Sequence, residues 1–363
     1  MPTRKRAREL GLDLPGTPGP HNAITDVDGV LVGYSTLVSD GPVQVRTGVT
    51  AILPRGRRPE PQPVWAGQFS LNGNGEMTGT HWIHDGGYFV GPVCITNTHS
   101  VGIVHHAATR WIIDTYAESF HHEHLWAMPV VAETYDGMLN DINGQHVTAE
   151  HARQALDSAA GGAIAEGNVG GGTGMICYEF KGGTGTSSRR LELGAKTWTV
   201  AALVQANHGQ RDWLSILGAP VGREMKGDRL FEHEMGSIIV VLATDAPLSP
   251  LSLRHLARRA SIGIGRHGTP GGNNSGDIFL AFSTANAGPV PSKQGALLET
   301  QHLNQEMLDP LYLAAVESVE EAVINAMLAA ETTPSFRPRG LSCRAIDHGR
   351  LVEILDRYGR IRR

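Results

Sequence analysis

No run among the 363 residues approaches the ~18 consecutive apolar residues that a membrane-spanning helix needs, which excludes a helical membrane anchor. Cysteine is scarce. Cys94, Cys177 and Cys343 are far apart, odd in number and in no CxxC spacing, so they read as reduced, partly buried thiols and not as a disulfide framework. Positive charge is not in excess either: a formal net charge of -5 gives no basic footprint for nucleic acid. Residues 1–10 are basic but lack the apolar segment of a secretion signal, and the expectation is a cytoplasmic protein. With 40% apolar residues the chain can bury a sizeable core, so disorder is excluded.

What the chain has in abundance is glycine, 45 residues of 363, well above the usual ~7% and gathered in clusters. These clusters do not make a phosphate loop. Residues 170–174 lack the third glycine at dinucleotide-binding spacing, and Lys181 stands in front of its glycines instead of behind them. Tight turns and narrow backbone passages are the better account. His121-His-Glu-His124 has no HExxH and reads as a solvated loop, so neither a metal nor a cofactor is expected.

The chain is organised around the stretch 235–247, which begins Met-Gly-Ser and continues with six apolar, mostly β-branched residues. Residues 223–234 before it are charged and aperiodic, an exposed loop. The apolar run suits a strand buried on both faces and is too short for a typical helix. Ser237 thus opens a core strand at the end of a loop. Two readings of that junction stay open on the residues alone. Gly236 ends a loop and Ser237 starts a strand, nothing more. Alternatively the Gly236-Ser237 bond is cut, and the serine gains a free α-amine near pKa ~8, able to act as base beside its own hydroxyl.

In chain order, residues 1–20 read as an arm or surface crossing. Strands are expected within 24–33, 48–54, 91–97, 129–137, 197–205 and 278–283. Helices are expected after Ser100, after Thr148, after Ser249-Pro250 and from Asp309-Pro310, the last with Leu311, Ala315, Val319, Val323 and Met327 inward. A short strand and helix close the chain around and after Cys343. Strand clusters and long helices come in blocks without regular βαβ units and without a separating linker, which gives an α+β protein of packed layers.

Three side-chain groups invite a chemical reading. Ser275 and Asp277 lie two apart at the mouth of a strand, so a carboxylate can orient a hydroxyl, although pattern alone favours a polar turn in which Asp277 satisfies backbone donors. Glu133, Tyr135 and Asp136 end a strand with groups able to ionise or hydrogen-bond, and Asn207 ends another. Ser318 and Glu320 point to different helix faces and read as surface residues.

The motifs Asn22-Ala-Ile-Thr-Asp-Val, Arg46-Thr-Gly-Val-Thr-Ala, Leu71-Asn-Gly-Asn-Gly-Glu, Thr96-Asn-Thr-His-Ser, Ala132-Glu-Thr-Tyr-Asp-Gly, Gly167-Asn-Val-Gly-Gly-Gly-Thr-Gly, Val204-Gln-Ala-Asn-His-Gly and Gly236-Ser-Ile-Ile-Val-Val occur in one order along essentially the whole chain. With them the chain resembles the self-processing aminopeptidases, the family of L-aminopeptidase D-amidase/D-esterase and the β-peptidyl aminopeptidases. The resemblance implies a single domain, a four-layer αββα sandwich cut at Gly236-Ser237 into an α chain 1–236 and a β chain 237–363. It implies Ser237 as N-terminal nucleophile supported by Ser275 and Asp277, with Asn207 and Tyr135 at the oxyanion and Glu133 holding the substrate's free amine. Some β-peptidyl members carry Glu where this chain has Asp277, which leans it toward α-peptides and D-amides. Family members commonly assemble as tetramers of αβ pairs, acting on small peptides, amides or esters. An acyltransferase of the ornithine acetyltransferase kind, which uses threonine, and a non-catalytic protein whose glycine loops hold a ligand are the rival readings.

Overall fold

In the computed structural model, which describes residues 4–227, 229–234 and 236–362, the expected core strand runs Ser237–Thr244 and every residue of it is buried. Met235, which opens the organising stretch, and residues 1–3 lie outside the described residues. With strands numbered in chain order, this one is β11. It sits inside a six-stranded sheet ordered β4 (Tyr88–Phe89), β3 (Val64–Ser70), β12 (Gly276–Ser283), β11, β10 (Lys196–Asn207) and β9 (Gly183–Leu193). β11 pairs antiparallel with β10 and parallel with β12. A four-stranded sheet holds β1 (Leu31–Asp40), β2 (Gln44–Leu53), β5 (Val93–Asn97) and β6 (Val130–Thr134). A small hairpin, β7 (Ile176–Cys177) with β8 (Phe180–Lys181), leads into β9.

The core has three principal parts, set by the two-residue period of the strands. Ile52 and Ile95 from the four-stranded sheet pack against Leu203, Ile239, Val241 and Leu280 from the six-stranded one. On the outer face of the four-stranded sheet, Val49, Cys94 and Val131 meet α1 (Val101–Thr115) and α2 (Ala149–Asp157) through Val104, Ile112 and Leu156. On the outer face of the six-stranded sheet, Val204, Val240 and Phe279 meet α3 (Pro250–Gly265) and α4 (Asp309–Ala329) through Leu256, Val319 and Val323. Both sheets are therefore covered on both faces, which is why central strands such as β11 and β12 are nearly continuous apolar runs.

α3 begins as its sequence predicts: Ser249 Oγ accepts from Ser252 N–H, and Pro250 occupies the first turn. Several expectations are corrected. Within 24–33, residues Ile24–Asp26 form a 3₁₀ turn and the strand starts only at Leu31, because Asp26 collects Ala23 N–H, His21 N–H and the Ser188 hydroxyl. Ser100 makes no capping bond; Asn97 instead accepts from His99 N–H one turn earlier. Ser318 and Glu320 are buried, not surface residues, since α4 is enclosed by β9, β10 and α3: Ser318 Oγ donates to Val200 O, and Glu320 pairs with Arg266. All three cysteines are fully buried. His121 and His122 end a short helix, Ala117–His122, and are solvent-exposed.

The N-terminal segment is built into the core and is no surface arm. Ala7, Leu12 and Leu14 are buried, and Arg8 joins a buried ion network with Arg189 of β9 and Glu317 and Glu321 of α4. Asn22 Nδ2 adds a bond to Glu321 Oε1 at 2.6 Å. Removing one member leaves buried charge without its partner. Glu321→Ala is therefore expected to lower the unfolding free energy by about 3–5 kcal/mol, read from the urea midpoint.

The glycine runs are narrow passages, as expected. A Cβ on Gly172 would lie 2.2 Å from Thr184 N. Lys181 is fully buried with its pKa lowered to about 8 by burial, and its ammonium donates to the Gly172 and Gly182 carbonyls, so it pins the turn.

Candidate active site

Alternation along β11 places Ser237 on the same face as Ile239 and Val241, between the two sheets. Its neighbour on β10 is Asn207 and its neighbour on β12 is Gly276, so groups approach it from both sides. Gly236 carries a strict steric requirement: a Cβ there would stand 2.0 Å from Asn207 O and 2.7 Å from His208 Cα. Only glycine lets the backbone before the serine run this close to the end of β10.

Asn207 is fixed at both ends of its amide. Oδ1 accepts from Ile176 N–H at 2.8 Å, and Nδ2 donates to Tyr135 O at 3.0 Å. An amide nitrogen carries two protons, so one N–H is spent on orientation and the other can face the reacting carbonyl. Tyr135, Asn207 and Gly236 line one narrow cleft together with Met138, Ile176 and Phe231. The Tyr135 side chain is 46% exposed, at the mouth of this cleft.

Ser275 Oγ donates to Asp277 Oδ1 at 2.5 Å, as the two-residue spacing anticipates. The opposite carboxylate oxygen accepts from Asn72 Nδ2 at 3.1 Å, and Asp277 N–H donates to Asn72 Oδ1 at 2.6 Å. Burial raises the Asp277 pKa, against the pull of Ser275, Asn72 and the Ile238 N–H. By strand alternation Asp277 and its partner Ile238 face the helix side, opposite to Ser237. The Asp277 carboxylate meets β11 at the Ile238 N–H, in the peptide that follows Ser237.

Glu133 is buried at the end of β6, where Oε1 accepts from Glu76 N–H at 3.0 Å and Oε2 from the Thr98 hydroxyl. Burial is the main cause that raises its pKa. Gly75 joins it to β12, the strand beside the nucleophile's: a Cβ there would lie 3.1 Å from Glu133 Oε1 and 3.4 Å from Gly276 Cα. The structure thus gathers Ser237, Asn207, Tyr135, Ser275, Asp277 and Glu133 around the start of β11. Among the described residues no group of three or more His, Cys, Asp or Glu could hold a metal ion.

Sequence reasoning missed Asn72, Thr98 and Glu234. Asn72 and Thr98 lie inside the motifs Leu71-Asn-Gly-Asn-Gly-Glu and Thr96-Asn-Thr-His-Ser, which marked the segments without revealing which side chains they serve. Glu234 lies in the charged segment read as exposed loop, yet it is buried, with Oε1 accepting from Gly209 N–H at 2.8 Å.

A buried serine opening a central strand, with an anchored amide on one side and a hydroxyl–carboxylate pair on the other, defines a serine-type hydrolase of the N-terminal-nucleophile class. The chain belongs to Peptidase family S58, whose model matches residues 22–340. It is 49% identical over 377 residues to the β-peptidyl aminopeptidase BapA of Sphingosinicella microcystinivorans, across 98% of this chain and 93% of that protein. Its fold superposes with a TM-score of 0.95 on the L-aminopeptidase D-Ala-esterase/amidase of Ochrobactrum anthropi, at 58% identity over 98% of this chain and 99% of the other. That structure is described as a prototype of the serine aminopeptidases and a variant of the Ntn-hydrolase fold. A Burkholderia β-aminopeptidase matches with a TM-score of 0.90 at 46% identity, over 98% and 99% of the two chains.

Proposed function

We propose that this peptidase is a self-processing aminopeptidase, cut between Gly236 and Ser237 into residues 1–236 and 237–363 of one αββα domain, that removes N-terminal residues from peptides, amides or esters bearing a free amine. The observation that carries the reading is the setting of Ser237, first in a central strand behind a glycine that tolerates no side chain. In processing, Ser237 Oγ attacks the Gly236 carbonyl and the C–N bond breaks as the Oγ proton passes to nitrogen, which frees the α-amine; water then hydrolyses the Ser237 ester, releasing the Gly236 carboxylate and restoring the hydroxyl. In turnover that amine takes the Oγ proton as Oγ attacks the substrate carbonyl. The ammonium formed lies on the backbone side where the Ser275–Asp277 pair supplies negative charge. Asn207 Nδ2–H and the Tyr135 hydroxyl steady the oxyanion, each donor contributing about 3 kcal/mol. The leaving amine collects the proton, and water releases the acid. The family resemblance supports a tetramer of αβ pairs, and three free, buried cysteines agree with a cytoplasmic compartment.

Glu133 is the group proposed to pair with the substrate ammonium. An amino-acid p-nitroanilide with a free amine is expected to be hydrolysed and its N-acetyl form left intact. Glu133→Gln is expected to raise KM by about 10- to 100-fold with kcat little changed, the scale of a hydrogen bond to a charged group. Because burial raises the Glu133 pKa, KM should climb as pH falls through that raised value and the carboxylate is neutralised. Equal hydrolysis of the free and acetylated substrates contradicts the aminopeptidase reading.

A further inference from the structure

Glu234 stands two residues before the proposed cut, in the segment that a cleaved chain must release. Its carboxylate bridges the flanks of Ser237. On one side Oε1 accepts from Gly209 N–H at 2.8 Å, two residues beyond Asn207. On the other, Oε2 is buried against Gly272, where a Cβ would come within 1.9 Å of it, and the Gly272 N–H faces the carboxylate. Gly272 O in turn accepts from Ser275 N–H and Asn72 Nδ2, so the turn that carries the Ser275–Asp277 pair is the surface on which Glu234 rests. Burial raises the Glu234 pKa against the pull of the Gly209 and Gly272 N–H groups, and repulsion from Asp277 raises it further, which places the two carboxylates within electrostatic reach. Upstream, Glu179 Oε1 accepts from Arg211 N–H and Oε2 from Leu230 N–H, so the segment is held at a second point. A buried carboxylate that serves no helix or strand of its own, and that touches both flanks of the nucleophile, calls for a role at that junction.

We infer that Glu234 is the positioning residue of self-cleavage: its carboxylate straps the backbone before the cut to Gly209 and Gly272, and so holds the Gly236 carbonyl in place for attack by Ser237. This inference rests on the self-processing reading above. It assigns Glu234 no contact with the substrate of the mature enzyme. The bond to Gly209 needs an acceptor at the length of a glutamate side chain and does not need its charge.

The test follows conversion of the full-length chain after cell-free synthesis, on denaturing gels, for wild type and for Glu234→Gln, Glu234→Asp and Glu234→Ala. Glu234→Ala and Glu234→Asp are expected to convert about 10²-fold more slowly, the cost of misplacing a reacting group by about 1 Å. Glu234→Gln keeps an acceptor oxygen at the same reach and should convert within about fivefold of wild type, since a neutral hydrogen bond is roughly half as strong as a charge-assisted one. Matching melting temperatures of Ser237→Ala with and without Glu234→Ala separate slow chemistry from failed folding; a lower one in the double variant assigns Glu234 to stability and overturns the inference. Conversion of Glu234→Ala at the wild-type rate, or Gln as slow as Ala, also overturns it. A wild-type chain that never converts strikes instead at the self-processing reading.

Discussion

Ser237→Ala is expected to give a full-length chain that never converts and has no measurable turnover, a loss on the order of 10⁶-fold in kcat, the scale of deleting a nucleophile. The substitution removes one oxygen from a strand position that is already buried, so β11 keeps its pairing with Asn207 and Gly276. Both chemical steps need that oxygen. Without it the Gly236 carbonyl has no neighbour to attack it, and no α-amine is ever freed to act as base. The measurement is a denaturing gel of the purified variant beside p-nitroanilide hydrolysis. A cut Ser237→Ala chain, or a turnover near wild type, contradicts the assignment of the nucleophile.

Asp277→Asn is expected to fold and yet lose about 10³- to 10⁴-fold in kcat, comparable with replacing the carboxylate of a catalytic triad by its amide. Asp277 now accepts from the Ser275 hydroxyl and from Asn72 Nδ2. An amide has only one accepting oxygen. Its nitrogen must face either the Asn72 nitrogen, where two donors collide, or Ser275 Oγ, which then becomes an acceptor and turns its own proton away. In either case the negative charge proposed to steady the Ser237 ammonium is gone. The same carboxylate predicts a second acid limb of the pH profile, below the one that protonation of the Ser237 α-amine sets. Its pKa is raised by burial, protonation removes the charge, and so kcat should fall with falling pH at a higher value than an ordinary aspartate would give. In Asp277→Asn that limb should vanish. Unchanged kcat and an unchanged limb in the variant would place the pair outside the chemistry.

The parts of the molecule legible in the sequence are those that local pattern dictates. An apolar β-branched run bounded by Gly-Ser gave β11 to its first residue, and Ser-Pro marked the start of α3. Asp309-Pro310 likewise marked the start of α4. Ser275 and Asp277 could be paired because strand geometry brings residues two apart to one side. Illegible parts depend on partners far along the chain. Residues 24–27 have a strand-like composition, but Asp26 is claimed by Ser188, which lies 162 residues away, and the backbone turns instead. The amphipathic pattern of α4 does not reveal that its polar face is also enclosed, because Arg8, Arg189 and Arg266 arrive there from three other segments. Glu133 shows as a buried strand-end carboxylate only when Gly75 and Thr98 fold onto it. Glu234 was hidden among six charged neighbours that made its whole segment look exposed.

The most direct test of the central claim is the intact mass of purified wild-type protein together with N-terminal sequencing of what it contains. The account predicts two polypeptides that meet at Gly236-Ser237, the second beginning with a free serine amine, in material that hydrolyses an amino-acid p-nitroanilide. A single uncut chain with that same activity would contradict it.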